Sequence, residues 1–213
     1  MLATGPLFTG PATPALSGTA SAPATGTAPA PLGRITWIVQ KTSTLSIAGK
    51  TNINNFCCEV NGYSGPDTIS TLNPSPSDAP DLPGIPLKGV LQINIGDFNC
   101  RNNAMTYEFK KTLRYREYPQ MQIVFLSLDK MPAFNNNGEI VKGFVNVDLA
   151  GQTKRFEISY TSSRTASGDL QLVGSRTFCF SDFGLQPPRK LGGLIRVSDE
   201  LNVRFHLCLR PST

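Results

Sequence analysis

Histidine and tryptophan are almost absent from this chain of 213 residues, which contains one of each, His206 and Trp37. Acyl transfer by a Ser/His/Asp or Cys/His set needs a histidine that neighbouring groups hold in place. The alternation of the last strand puts His206 on its polar side, so we expect a solvated surface residue there. A zinc site needs four nitrogen or sulfur ligands at chelating spacing, and the five cysteines form no CxxC pair. We therefore predict no catalytic residue, no metal site, no cofactor and no enzymatic activity.

Long apolar runs are also missing. A membrane-spanning helix needs about 18 or more consecutive apolar residues, and the sequence contains no such run, so no transmembrane segment is predicted. Met1 is not followed by the basic and apolar regions of a signal peptide. The 20 Lys and Arg exceed the 15 Asp and Glu by a modest net charge of +5. Their densest group, Lys110, Lys111, Arg114 and Arg116, has no interleaved aromatic residues, so we interpret it as a solvated helix face and predict no nucleic-acid partner.

The first 33 residues differ in composition from the rest of the chain. They carry no charge, and 27 of the 33 are Ala, Thr, Gly, Pro or Ser. Such a segment cannot bury enough apolar surface to offset its ordering entropy. Residues 1–33 are therefore predicted to be a disordered linker or tail. Residues 34–213 are enough for one domain with a sizeable core.

From Arg34 onward, apolar residues alternate with polar ones in runs bounded by Gly, Pro and Asn. This period of two is typical of half-buried antiparallel strands. The alternating apolar series are Leu87, Leu91, Ile93 and Ile95; Val141, Val145, Val147 and Leu149; Phe156, Ile158 and Tyr160; Leu170, Leu172, Phe178 and Phe180; and Leu201, Val203, Phe205, Leu207 and Leu209. Eight or nine such strands must close into a barrel or split into a sandwich to remove their edges, and their length favours a barrel. The predicted fold is all-β, an antiparallel β-barrel.

One segment departs from this alternation. Met105, Phe109 and Leu113 lie four residues apart, which is the spacing of a helical stripe. The stripe predicts one amphipathic helix of about four turns over residues 102–118, inserted among the strands, with an asparagine as its N-cap and Pro119 as its end.

Two segments rich in Pro, Gly and Ser or Asp, residues 62–86 and 181–193, are predicted to be long loops. Loops of this length more often cover a binding site or a barrel mouth than serve as plain connectors.

The stretch SIAGKTNINNFCCEV, residues 46–60, contains a GKT triplet that suggests a phosphate-binding loop. Such a loop needs a glycine five residues before its Gly-Lys pair and a helix after it. Thr44 occupies that position, and the residues after Thr51 alternate like a strand. We therefore interpret the triplet as a hairpin, with Gly49 at the first position of a two-residue type II′ turn. The similar LAGQTK at residues 149–154 again lies between two alternating runs.

The adjacent Cys57 and Cys58 point to opposite faces of the predicted strand. Cys58 shares the apolar face with Phe56, whereas Cys57 lies on the polar side. Cys100, just before the predicted helix, is a candidate disulfide partner for Cys58. The alternative for Cys58 and Cys100 is a pair of buried free thiols, as expected in the cytosol.

Taken together, these residues resemble the YceI-like family, in a version similar to that of Bacteroidetes. The matching pieces are Trp37, the G-x-T-N-x-N-x-F-x-C run at 49–58, DFNCRNNAM at 97–105, YPQMQIVF at 118–125, AGQTK at 150–154 and SDFGLQPP at 181–188. The resemblance extends over residues 35–210. It implies an extended, eight-stranded, lipocalin-like barrel in the periplasm or outside the cell, with a Cys58–Cys100 disulfide.

The resemblance also implies a function: non-catalytic binding of a long-chain isoprenoid or other amphiphilic lipid inside the barrel, for storage, transport or envelope stress response. The candidate lining residues are Trp37, Ile47, Phe56, Leu91, Ile93, Phe125, Phe156, Phe178 and Phe205, with Met105, Phe109 and Leu113 closing one end. Each of them is equally compatible with a solid core.

Two further points stay open at this stage. Asp182, Arg189 and Lys190 are candidates to meet a lipid head group or, alternatively, to cap a loop. The rival hypothesis for the whole domain is a ligand-free structural or protein-interaction barrel of the cell envelope, and a homodimer is compatible with either function.

Overall fold

The computed structural model describes Met1 and residues 34–65, 67–72, 82–132 and 138–212. The predicted linker over residues 1–33 lies outside the described residues apart from Met1. The strands are β1 (Thr36–Val39), β2 (Thr44–Thr51), β3 (Asn55–Asn61), β4 (Thr68–Thr71), β5 (Ile85–Asn94), β6 (Gln120–Leu128), β7 (Glu139–Leu149), β8 (Gln152–Arg164), β9 (Leu170–Cys179), β10 (Arg189–Lys190) and β11 (Ile195–Pro211), with helix α1 at Asn103–Thr112. Short 3-10 turns occupy Ile95–Asp97, Phe180–Phe183 and Leu191–Gly193.

Eight antiparallel arms close the sheet into a barrel. β1 and β2 together form the first arm, because Trp37 in β1 lies opposite Pro211 and Thr51 in β2 lies opposite Val197, both on β11. β3 and β4 form the second arm and pair with β2 and β1. The other arms are β5, β6, β7, β8, β9 and β11, each paired with the next. Since β1 pairs with β11, the barrel is closed, and the predicted eight-stranded lipocalin-like fold is confirmed.

The interior of the barrel is dry because apolar side chains alternate with polar ones along the arms. In β7, Val141 and Val145 are fully buried, while Lys142 between them is exposed. The buried apolar residues form a single cluster to which every arm contributes. Burying one large aliphatic or aromatic side chain stabilises the fold by about 1.5–3 kcal/mol, so this cluster is the main source of stability.

Helix α1 is shorter than predicted. It begins after Asn102, whose Oδ1 accepts a hydrogen bond from the Met105 N–H at 3.0 Å, as an N-cap should. It ends at Thr112 because Arg114 is left-handed, with φ of 57°. The N–H groups of Arg114 and Tyr115 then bond to the carbonyls of residues 111 and 110, which is a Schellman cap. An arginine rarely takes this position, so the sequence carried no stop signal before Pro119.

The predicted turn at Gly49 is wrong. Gly49 lies inside β2, and the turn is formed by residues 52–54, with Thr51 N–H donating to the Asn54 carbonyl at 2.7 Å. A Cβ on Gly49 would come within 2.3 Å of the Phe56 ring. The glycine is therefore needed for side-chain packing, and not for a positive φ.

The second predicted hairpin, LAGQTK, is present. Its two turn residues, Ala150 and Gly151, have φ of 53° and 78°, which is the type I′ arrangement. The two predicted loops contain more regular structure than expected. β4 and the start of β5 lie within residues 62–86. Residues 181–193 contain β10, one 3-10 turn and most of another, which begins at Phe180.

The Cys58–Cys100 disulfide is present and joins the second arm to the third. Beside it, Glu59 and Asn99 exchange two backbone hydrogen bonds of 2.9 Å. This bridge continues the register in which β4 pairs with β5. Cys57 faces the other way and is free, as the strand parity predicted.

Removing this disulfide should lower the free energy of unfolding by about 2–4 kcal/mol, because it closes a loop of 42 residues that the unfolded chain would otherwise leave open. Urea denaturation of the double variant Cys58→Ala/Cys100→Ala measures this loss. Cys57→Ala is the matched control and should change stability by less than about 0.5 kcal/mol. A loss of the same size in the control would contradict the pairing.

Candidate functional site

Two small apolar chambers lie inside the barrel. The larger has a volume of about 70 Å³ and the smaller about 50 Å³. Four residues border both: Leu45, Ile123, Ile158 and Phe205. Every described residue around the larger chamber is apolar apart from the thiol of Cys179. This lining can bind hydrocarbon, and it offers no group that would fix a polar substrate.

The predicted lining residues fall into three groups. Ile47, Phe109, Leu113, Phe178 and Phe205 border the larger chamber, and Leu91, Ile93, Phe125 and again Phe205 border the smaller one. Trp37 and Phe156 are packed in the core and border neither chamber. Phe56 and Met105 lie instead at an open cleft of about 950 Å³, between α1, the β2–β3 hairpin and residues 188–197. Their role as ligand contacts stays a prediction.

The ring of Phe205 borders both chambers, and its position depends on a glycine. A Cβ on Gly174 would lie 2.5 Å from this ring and 2.7 Å from the Ser159 carbonyl oxygen. The ring centroid of Tyr160 lies 5.3 Å from that of Phe205. Sequence alternation found Phe205 but gave no hint that Gly174 makes room for it.

A gap in the ladder borders the larger chamber. β8 and β9 pair only from Tyr160–Gly174 to Arg164–Leu170, although β8 begins at Gln152 and β9 continues to Cys179. Aromatic rings fill part of the gap: the centroid of Phe156 lies 4.6 Å from that of Phe178 and 6.0 Å from that of Phe183. We call this region the β8–β9 seam, residues 152–159 and 175–179. Sequence reasoning did not predict it.

Two buried tyrosines lie near the smaller chamber. Burial alone raises the pKa of Tyr160 well above its ordinary value. Burial, and next the hydrogen bond that it donates to Asp67, raise the pKa of Tyr63 in the same direction. Asp67 also accepts a hydrogen bond from the Gln92 N–H at 3.1 Å. Both phenols therefore stay neutral near pH 7 and act as wall residues with one polar atom.

The histidine and the free cysteines lie away from the chambers, apart from Cys179. His206 is half-buried, not solvated as predicted, and its Nε2 lies 3.5 Å from Cys208 Sγ on the outer side of β11. Cys57 borders the open cleft, and burial, followed by the charge of Glu59, raises the pKa of its thiol. A raised pKa lowers the thiolate fraction and hence the reactivity. No group of three or more His, Cys, Asp or Glu that could hold a metal ion occurs among the described residues.

The predicted head-group candidates are distributed over different structures. Asp182 accepts a hydrogen bond from the Cys179 N–H at 2.9 Å and caps a 3-10 turn, which is the loop-capping role. Arg189 is exposed and borders a polar groove together with Arg196 and Asp199. The side chain of Lys190 lies outside the described residues.

Solved structures share this architecture. BcnA from Burkholderia cenocepacia matches with 16% identity and a TM-score of 0.55, over 80% of this chain and 96% of that chain. A polyisoprenoid binding domain from Saccharophagus degradans, implicated in plant cell wall breakdown, matches with 11% identity and a TM-score of 0.58, over 83% and 98%. The chain has the same β-barrel fold as these two proteins. A YceI protein from Campylobacter jejuni also matches, with 16% identity and a TM-score of 0.45, over 68% and 81%.

Likeness at such low identity establishes the fold of this barrel and leaves its ligand to be argued from its own residues. No family model matches the sequence, and no curated protein matches it either. In the part of the chain that the structure describes, no helix is long and apolar enough to cross a membrane.

Substitution of Gly174 should test the packing of the chamber wall. Gly174→Ala should lower the free energy of unfolding by about 1–3 kcal/mol, because the new methyl group overpacks the Phe205 ring. Urea denaturation measures the loss, with Ser175→Ala on the exposed face as the control. In the double variant Gly174→Ala/Phe205→Leu, part of this loss should be recovered. Strictly additive losses would show that the ring does not occupy the space above Gly174.

Proposed function

We propose that this barrel binds the hydrocarbon chain of an amphiphilic lipid without chemical change, and that a long-chain isoprenoid is the best candidate. The larger chamber carries the proposal, because its lining is apolar on every side and comes from six arms and α1. A buried methylene group gains about 0.8 kcal/mol relative to water. A lipid chain therefore needs few polar contacts to bind.

The size of the chambers determines how a chain would fit. Volumes of about 70 and 50 Å³ have room for several water-sized groups, and a long chain needs more. Phe205 borders both chambers and is only half-buried, so rotation of its ring is the simplest way to join them. A bound chain would then run from α1, past Phe205, towards Tyr63.

Two further observations support a lipid carrier outside the cytoplasm. The Saccharophagus degradans domain with this fold is named for polyisoprenoid binding. Disulfides such as Cys58–Cys100 persist in oxidising compartments such as the periplasm and are rare in the cytosol. We therefore propose that the protein acts in the periplasm or outside the cell.

The small chamber volumes favour one alternative, a ligand-free structural or protein-interaction barrel. Extraction of the purified protein with organic solvent, followed by mass spectrometry, separates the two functions. The carrier should yield a long-chain lipid in about a one-to-one ratio to protein. An empty extract, together with no binding of added geranylgeraniol, would establish the alternative.

A variant that fills the chambers should lose lipid binding. Ile158 borders both chambers and is buried, so Ile158→Phe should weaken geranylgeraniol binding at least about tenfold, or about 1.4 kcal/mol, in isothermal titration calorimetry. Val173→Phe is the matched control, because Val173 is 46% exposed on the outer face. Unchanged affinity in a folded Ile158→Phe variant would rule out binding in the chambers.

A further inference from the structure

Arg176 is the charged side chain that β9 contributes to the β8–β9 seam. Its position on β9 lies opposite Val203, which borders the larger chamber. Its guanidinium carbon lies 5.1 Å from the ring centroid of Phe156 and 6.0 Å from that of Phe178. The cation is therefore held against two aromatic rings, one of which is a chamber wall.

One buried donor of this guanidinium is unused among the described residues. Nη1 donates to the Glu157 carbonyl oxygen, whereas Nε is buried and has no hydrogen-bond partner. A guanidinium has five N–H donors, and buried donors without a partner are rare in native proteins. The arrangement is costly unless another group completes it.

The carboxylates of the described residues also leave the charge of Arg176 without an ion pair. Glu157 lies on the facing strand, and Arg176 contacts its carbonyl group. The carboxylate of Glu157 forms an ion pair with Lys142 at 3.0 Å on the outer side of the barrel. Among the described residues, no carboxylate forms an ion pair with Arg176. This cation is partly buried beside an apolar chamber and lacks a partner. An anion that binds there would offset the cost of its burial.

We propose that Arg176 is the anchor for the acidic head group of the bound lipid, a phosphate or a carboxylate. This inference rests on the proposed function, since the lipid chain would occupy the larger chamber. The planar fork of an arginine matches both anions in a bidentate geometry. The seam has no backbone ladder between β8 and β9, so a head group can reach the guanidinium there while its chain passes inward beside Phe178.

The proposal separates Arg176 from a purely structural role. As a structural residue, Arg176 would only replace a missing ladder hydrogen bond through its contact with Glu157. Its loss would then lower stability and would not change the preference between acidic and neutral lipids. As an anchor, it makes the protein select acidic lipids over neutral ones of the same chain.

Isothermal titration calorimetry with two matched pairs of lipids tests the anchor: geranylgeranyl phosphate against geranylgeraniol, and hexadecanoic acid against hexadecanol, all below the concentrations at which they form micelles. The wild-type protein should bind the acidic member of at least one pair about tenfold or more tightly, the gain typical of charge-assisted hydrogen bonds. Arg176→Gln should reduce this ratio to about one and leave the affinity for the alcohols within about threefold. Arg176→Lys, which keeps the charge and loses the fork, should fall between them.

Arg155→Gln is the matched control, because Arg155 lies on the same strand as Phe156 but is exposed on the outer face, and it should keep the wild-type ratio. Thermal melting shows whether each variant is folded. If Arg176→Gln does not fold, the test rests on the ratio of acid to alcohol affinity in the wild type and in Arg176→Lys.

The outcomes distinguish the inference from the function beneath it. Equal binding of acid and alcohol in the wild type, or an unchanged ratio in folded Arg176→Gln, overturns the anchor and leaves lipid binding intact. Binding of neither member of either pair overturns both. Inorganic phosphate alone should give no measurable heat, and binding as tight as that of the lipid phosphate would overturn the anchor in favour of a simple anion site.

Discussion

Each arm of this protein has one apolar face, and that face becomes dry only when the sheet closes on itself. Closure depends on two pairings along β11. The C-terminal end of β11 pairs with β1, and the part of β11 before it pairs with β2. The Cys58–Cys100 disulfide and the bridge between Glu59 and Asn99 complete the ring where β3 meets the end of the third arm. The chambers, the position of α1 and the seam all follow from this closed ring.

The sequence predicts the parts of the fold that depend on side-chain polarity. A period of two along β7, β8 and β11 identified the arms, and the parity of Cys57 and Cys58 separated the free thiol from the bonded one. These signals are strong because a shift of one residue would expose a whole apolar face. Barrel closure followed because so many half-buried strands leave no other way to remove their edges.

The features that sequence reasoning missed depend on single backbone positions and on contacts between distant residues. Arg114 ends α1 in a left-handed conformation that its side chain does not encode. Gly49 and Gly174 look like turn residues or weak strand positions, but each makes room for an aromatic ring from a neighbouring strand. The seam is visible only when the register of β8 against β9 is known, so Arg176 had no signal in the sequence beyond its place in an apolar face.

The pairing of Trp37 with Pro211 has a consequence for biogenesis. The strand that is made first can be completed only by the strand that is made last, and the two lie 174 positions apart by their residue numbers. Contacts so distant in sequence form slowly, and unpaired strand edges are prone to aggregate while they wait. A nascent chain therefore stays open until β11 emerges. This favours a folding route in which the barrel closes in one late step.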